Sequence, residues 1–124
     1  MSKQRVAGLA VLVFLAGCAG EEPGKLTIDN ARSAGLETDR QQLFDMIEAE
    51  DGWSGYWAGD RVELYQYERS SDVKRDFFEG VVAVSQEENH GWVEFCQQKN
   101  LIMLSKGKHA CTRLETVTAG NPVE

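Results

Sequence analysis

Cys96, His109 and Cys111 are the residues whose types and spacing most readily suggest chemistry, with His90 a little upstream. Two nearby cysteines can close a disulfide, remain as reactive thiols or, with a histidine, hold zinc. The pattern Cys-x12-His-x-Cys lacks a close ligand pair such as Cys-x2-Cys, which disfavours a structural zinc site. Glu48, Glu50 and Asp51 gather acids before Gly52, but not at the alternating positions of a calcium loop, so a solvated element end is the expected reading. His90 stands among Glu87, Glu88 and Asn89, where a solvated loop histidine is expected. There is no Ser-His-acid set on a nucleophile elbow, no phosphate-cradling glycine loop and no His-Glu-x-x-His. Acids are spread along the whole chain, so no carboxylate pair stands out for glycoside hydrolysis. No catalytic residue, metal or cofactor is expected.

The N-terminus carries a different kind of chemistry. Lys3 and Arg5 form a positive head, and residues 6–16 follow without a charged or hydrogen-bonding side chain. Such a run is far short of the roughly 20 residues of a membrane-spanning helix. It has the form of the apolar region of a secretory signal. Leu15-Ala16-Gly17-Cys18 closes it and resembles the lipobox of bacterial prolipoproteins. The resemblance implies cleavage before Cys18, diacylglycerol on its sulfur and a membrane as partner. Ala19 in place of an aspartate implies outer-membrane delivery in a host with two membranes, the domain facing the periplasm. Residues 1–17 are then a signal peptide, 18–24 a flexible tether, 25–118 a single domain and 119–124 a tail. In an oxidising compartment the remaining pair, Cys96 and Cys111, is expected as a disulfide. It closes a loop of about 15 residues, worth about 3 kcal/mol in the chain-entropy model.

Charge narrows the partners. The formal charge of −7 becomes −9 once Lys3 and Arg5 are removed. From Cys18 to Phe95 there are 18 acidic and 7 basic residues, a balance of −11, whereas from Cys96 onward the balance is +2. A surface this acidic repels nucleic acid and anionic headgroups and attracts basic proteins. Nucleic acid is therefore not an expected partner, and a basic envelope protein is.

The elements that position these groups follow from periodicity. Residues 25–36, with scattered apolar positions, fit either a domain edge or more linker. Leu43, Met46, Ile47 and Glu50 recur at helical spacing and predict a helix over residues 38–50, capped at Thr38 or Asp39 and stopped at Gly52. Residues 53–67 read as a hairpin turning at Gly59-Asp60, with Trp57 opposite Val62 and Trp53 opposite Gln66. That register puts Trp53, Trp57, Val62 and Leu64 on the core face, and Tyr56, Glu63 and Tyr65 on the other. These last three are the candidate partner surface, since aromatic and acidic groups together suit a basic protein. Ser70 and Ser71 open a second helix whose expected inward stripe is Val73, Phe77, Val81 and Val84, with Phe78 adjacent. Gly80 inside it costs about 1 kcal/mol against alanine, and close approach to the sheet is one use for it. Residues 92–96 and 101–104 form a second hairpin, its second strand apolar throughout and so central. A last helix covers residues 109–117, with Cys111 and Leu114 inward.

The expected fold is α+β, a four-stranded antiparallel sheet from two hairpins with helices packed on one face, in the order αββαββα. The expected function is a non-catalytic envelope lipoprotein that binds another protein or supports an assembly. The alternatives are an inhibitor or immunity protein against a basic wall-degrading enzyme, a glycan-binding module that would need exposed tryptophans, or an enzyme of unidentified class.

Overall fold

In the computed structural model, which describes residues 22–88 and 91–119, the first element grows from a capping box. Thr27 Oγ1 accepts the Asn30 amide at 3.1 Å, and Asn30 Oδ1 accepts the Thr27 amide at 2.8 Å. Two otherwise orphaned donors are thereby satisfied, and helix α1 (Ile28–Ser33) begins. Residues 25–36 thus belong to the domain. The signal peptide, Cys18, His90 and residues 120–124 lie outside the described residues.

The predicted helix over 38–50 is not formed. Its place is taken by strand β1 (Glu37–Gln41) and a 3-10 turn, Asp45–Ile47. Strand β1 lies along β2 (Asp51–Trp57), with Thr38 opposite Gly55. Gly55 is what admits it, because a Cβ there would overlap the Glu37 carbonyl. The helical spacing of Leu43 and Met46 was not a core stripe, since these side chains are 83% and 84% exposed.

Strand β2 turns into β3 (Asp60–Gln66) through residues 58–59, with Ala58 at φ 51° and Gly59 at φ 86°. Trp57 pairs with Asp60 and Trp53 with Leu64. The pairing is offset by two from the expected register, and an even offset preserves face parity. Trp57, Val62 and Leu64 therefore still share one core, with Trp53 packed against it. Asp60 is paired in the ladder with Trp57 rather than looped out, and its carboxylate accepts the His109 and Ala110 amides, at 2.7 and 2.9 Å. That contact holds the start of helix α3 (Ala110–Leu114).

Helix α2 (Arg75–Glu88) follows a 3-10 turn at Ser70–Asp72, and then the hairpin of β4 (Glu94–Gln98) and β5 (Leu101–Ser105) turns at Lys99 and Asn100. All five β5 residues are buried, and the strand lies between β3 and β4, as its unbroken apolar run implied. The chain is α+β, but the antiparallel sheet has five strands, ordered β1-β2-β3-β5-β4. The helices lie on both faces rather than one. Residues of α1 and α3 pack with Trp57, Val62, Leu64 and Met103, whereas Phe78 and Val82 of α2 pack with Tyr65, Ile102 and Leu104. Cys96 and Cys111 form a disulfide with Cα atoms 5.9 Å apart, fastening α3 to edge strand β4.

Candidate docking groove

The face under α2 is built around Tyr65. Gly52 pairs with Tyr65 across the strands, and a Cβ at Gly52 would lie 2.5 Å from the Tyr65 ring. The ring therefore leans over the bare glycine and meets Phe78 at a centroid distance of 5.5 Å. Tyr65, expected on the outer surface, is buried for this reason. Its hydroxyl donates to Glu63 Oε1 at 2.7 Å. Burial pushes its pKa upward, with Glu63 adding to the shift, so the donor proton stays in place. Tyr67 Oη donates to Ile47 O at 2.8 Å, and burial pushes its pKa up to about 12. That bond and the Lys74–Glu48 ion pair (2.8 Å) fasten the 42–49 loop beside α2. The hydrogen bond from Lys74 holds the Glu48 carboxyl below its ordinary range.

Helix α2 is rotated from the expected orientation. Phe78, Val82 and Ser85 are its buried residues, while Phe77 and Val84 are 51% and 50% exposed. Ser85 earns an inward position because its hydroxyl accepts the Trp92 amide at 2.8 Å. Gly80 does not approach the sheet, because nothing lies within 4 Å of a Cβ placed there. The exposed Phe77 and Val84, with the half-buried Val81 between them, border an open cavity of about 570 Å³, with Trp92 and Asp76 also on its wall. Phe77, Val81 and Trp92 also line a second space of about 230 Å³, which runs on over Glu63 and Tyr65 to Leu43 and Met46. The result is an apolar groove between α2 and the 42–49 loop. Asp76 and Glu63 line these two spaces and Asp45 an adjoining one beyond Leu43 and Met46, and none of the three makes an ion pair among the described residues.

Of the three residues singled out from sequence, the structure brings Glu63 and Tyr65 together in the groove floor. Tyr56 stands apart from the groove, 50% exposed, with the Arg61 guanidinium 4.9 Å over its ring. Arg61 is held in turn by Asp39 at 2.6 Å, and Asp39 also accepts the Ser54 hydroxyl at 2.7 Å. Those bonds, Arg61 first, lower the Asp39 carboxyl. Sequence periodicity missed Leu43, Met46 and Val84 as surface residues. The available signal was that α2 carries two adjacent apolar stripes, through Phe77 and through Phe78, and only one can face the sheet.

The remaining candidates are placed elsewhere. The cysteine sulfurs are bonded to each other, and His109 is 78% exposed on its side chain with Nδ1 3.6 Å from Asp60. Among the described residues no group of three or more His, Cys, Asp or Glu could hold a metal ion. Trp57 is buried, and the half-buried rings of Trp53 and Trp92 are covered by Arg32 and Lys106, at 4.9 and 5.1 Å. No described helix is long and apolar enough to cross a membrane. No protein-family model, curated protein or solved structure matches the chain.

Proposed function

We propose that this chain is a non-catalytic cell-envelope lipoprotein, anchored through lipid on Cys18, whose α2 groove binds a basic segment of another envelope protein. The observation that carries this reading is the exposure of Phe77 and Val84, with the half-buried Val81 between them, near the carboxylates of Asp45, Glu63 and Asp76, none of which makes an ion pair among the described residues. Large apolar side chains exposed together beside carboxylates that make no ion pair fit a partner that is apolar at the contact and carries cations next to it. The acidic balance of the chain supports the same partner through long-range steering, which speeds association and weakens with salt. The lipobox resemblance supports the anchoring.

The test is crosslinking of the tagged lipoprotein in native envelopes at two salt concentrations, with Phe77→Ser/Val84→Ser and Glu63→Gln run in parallel. A basic protein that is enriched by the unaltered chain, reduced at high salt and lost with the α2 variants is expected. If that protein is a wall-degrading enzyme, an activity assay decides whether the chain inhibits it. A partner indifferent both to salt and to the substitutions overturns the groove as the binding surface.

A further inference from the structure

The chain enters the fold through residues 22–26, which are tied down one after another. Glu22 accepts hydrogen bonds from the Ser70 amide at 2.8 Å and the Ser70 hydroxyl at 2.6 Å. Lys99 Nζ donates to Pro23 O at 3.4 Å, and Lys25 pairs with Glu50 at 2.8 Å. Leu26 exchanges two 2.8 Å hydrogen bonds with the side-chain amide of the buried Asn100, which also donates to Tyr67 O at 2.7 Å. Glu50, Ser70 and Asn100 come from three different connections, all at one end of the sheet: before β2, after β3 and between β4 and β5. The turn at residues 58–59 and the 106–109 loop lie at the other end.

A lipid on Cys18 would leave only Ala19, Gly20 and Glu21 between the acylated residue and the first tied one. Four Cα steps reach at most about 14 Å. The seven residues of β3 make the sheet about 20 Å tall. A domain standing on its far end would need a tether at least that long. We infer that residues 22–26 form a strap that keeps the Ser70–Asn100 end of the domain nearest the bilayer and turns the 58–59 end away. The groove is thereby held within about 35 Å of the bilayer, within reach of a partner that is itself anchored to the membrane. This inference rests on lipidation at Cys18 and adds an orientation to it.

The test uses the full lipidated chain in phosphatidylethanolamine–phosphatidylglycerol vesicles containing nitroxide-headgroup lipid, with a fluorescent amino acid at Glu68 or at Lys108. Quenching at Glu68 several-fold stronger than at Lys108 is expected. Glu22→Ala/Ser70→Ala should narrow the difference, and a Gly-Ser insertion of about 20 residues after Ala19 should abolish it with the thermal midpoint unchanged. Equal quenching at the two sites in the unaltered chain overturns the orientation alone. A mass showing no diacylglycerol on Cys18 overturns the lipoprotein reading as well, and the orientation with it.

Discussion

On the α1 and α3 side of the sheet, Trp57, Val62, Leu64, Leu101, Met103, Leu114 and Val117 are each no more than 2% exposed. On the α2 side, Phe78 and Ile102 are as well buried, yet Phe77, Val84, Leu43 and Met46 around them are at least half exposed. Both faces draw on similar apolar residues, so hydrophobicity does not separate them. Fastening does. On the first side the Cys96–Cys111 bridge and the Asp60 carboxylate hold α3 to the sheet, and the Ile28 amide, donating to Gln66 Oε1 at 2.9 Å, holds α1. On the second, one long helix covers part of the surface, and the remainder is walled by a loop held through Tyr67 and Lys74. One side is used up in folding, while the other leaves apolar surface exposed.

Paired substitutions sharpen that contrast. Leu64→Ala, on the closed side, is expected to cost about 3–4 kcal/mol in urea unfolding, as a deep truncation that neighbours cannot refill. Replacing both Cys96 and Cys111 by alanine should cost about 3 kcal/mol in the same assay. A loss near zero would mean that α3 stays docked without its bridge. The tryptophans test the closed side more finely. Trp57 Nε1 donates to Ala34 O at 3.2 Å, so Trp57→Phe strands a carbonyl and should cost about 2 kcal/mol. Trp53 Nε1 is buried with no partner among the described residues, and Trp53→Phe removes that orphan, leaving stability within about 0.5 kcal/mol.

Asp60→Asn retains an acceptor for the α3 amides but loses the charge, for an expected loss of about 1 kcal/mol near neutral pH. Burial pushes the Asp60 carboxyl up, but the His109 and Ala110 amides outweigh it, leaving its pKa below the ordinary 3.8. A carboxyl with a depressed folded pKa adds stability above its unfolded pKa and loses it as pH falls through the folded value. The difference between the unaltered chain and Asp60→Asn should therefore begin to shrink as pH falls through about 3.8 and vanish only below the depressed folded value. A gap that persists there means the charge is not what holds α3. The smallest effect belongs to the open side. Phe77→Ser should shift stability by no more than about 0.5 kcal/mol while abolishing partner capture, and a large stability loss would show that the stripe belongs to the core.

The parts legible in the sequence were those set by alternation. The faces of β2 and β3 came out correctly because a register error of two leaves parity intact, and β5 was placed centrally by its unbroken apolar run. What escaped was decided by contacts remote in sequence. Strand β1 exists because Gly55 admits it, and the exposed Leu43 and Met46 imitate a helical stripe without being buried. The side of α2 that faces the sheet is chosen by Tyr65 and by the amide of Trp92, and neither is visible from the spacing within the helix. The disulfide was legible from the even pair that Cys96 and Cys111 make once Cys18 is set aside, whereas the groove required knowing which apolar residues the core leaves unused.

The outermost strand of the β1 edge has one more effect, on self-association. An edge strand offers a row of unsatisfied backbone donors and acceptors to any neighbouring copy. Strand β1 carries Glu37, Asp39 and Arg40, is exposed along most of its length, and breaks its register between Thr38 and Arg40. Fixed charges and an irregular ladder make that border a poor template for a second sheet. Molecules crowded together therefore gain little from pairing along that border.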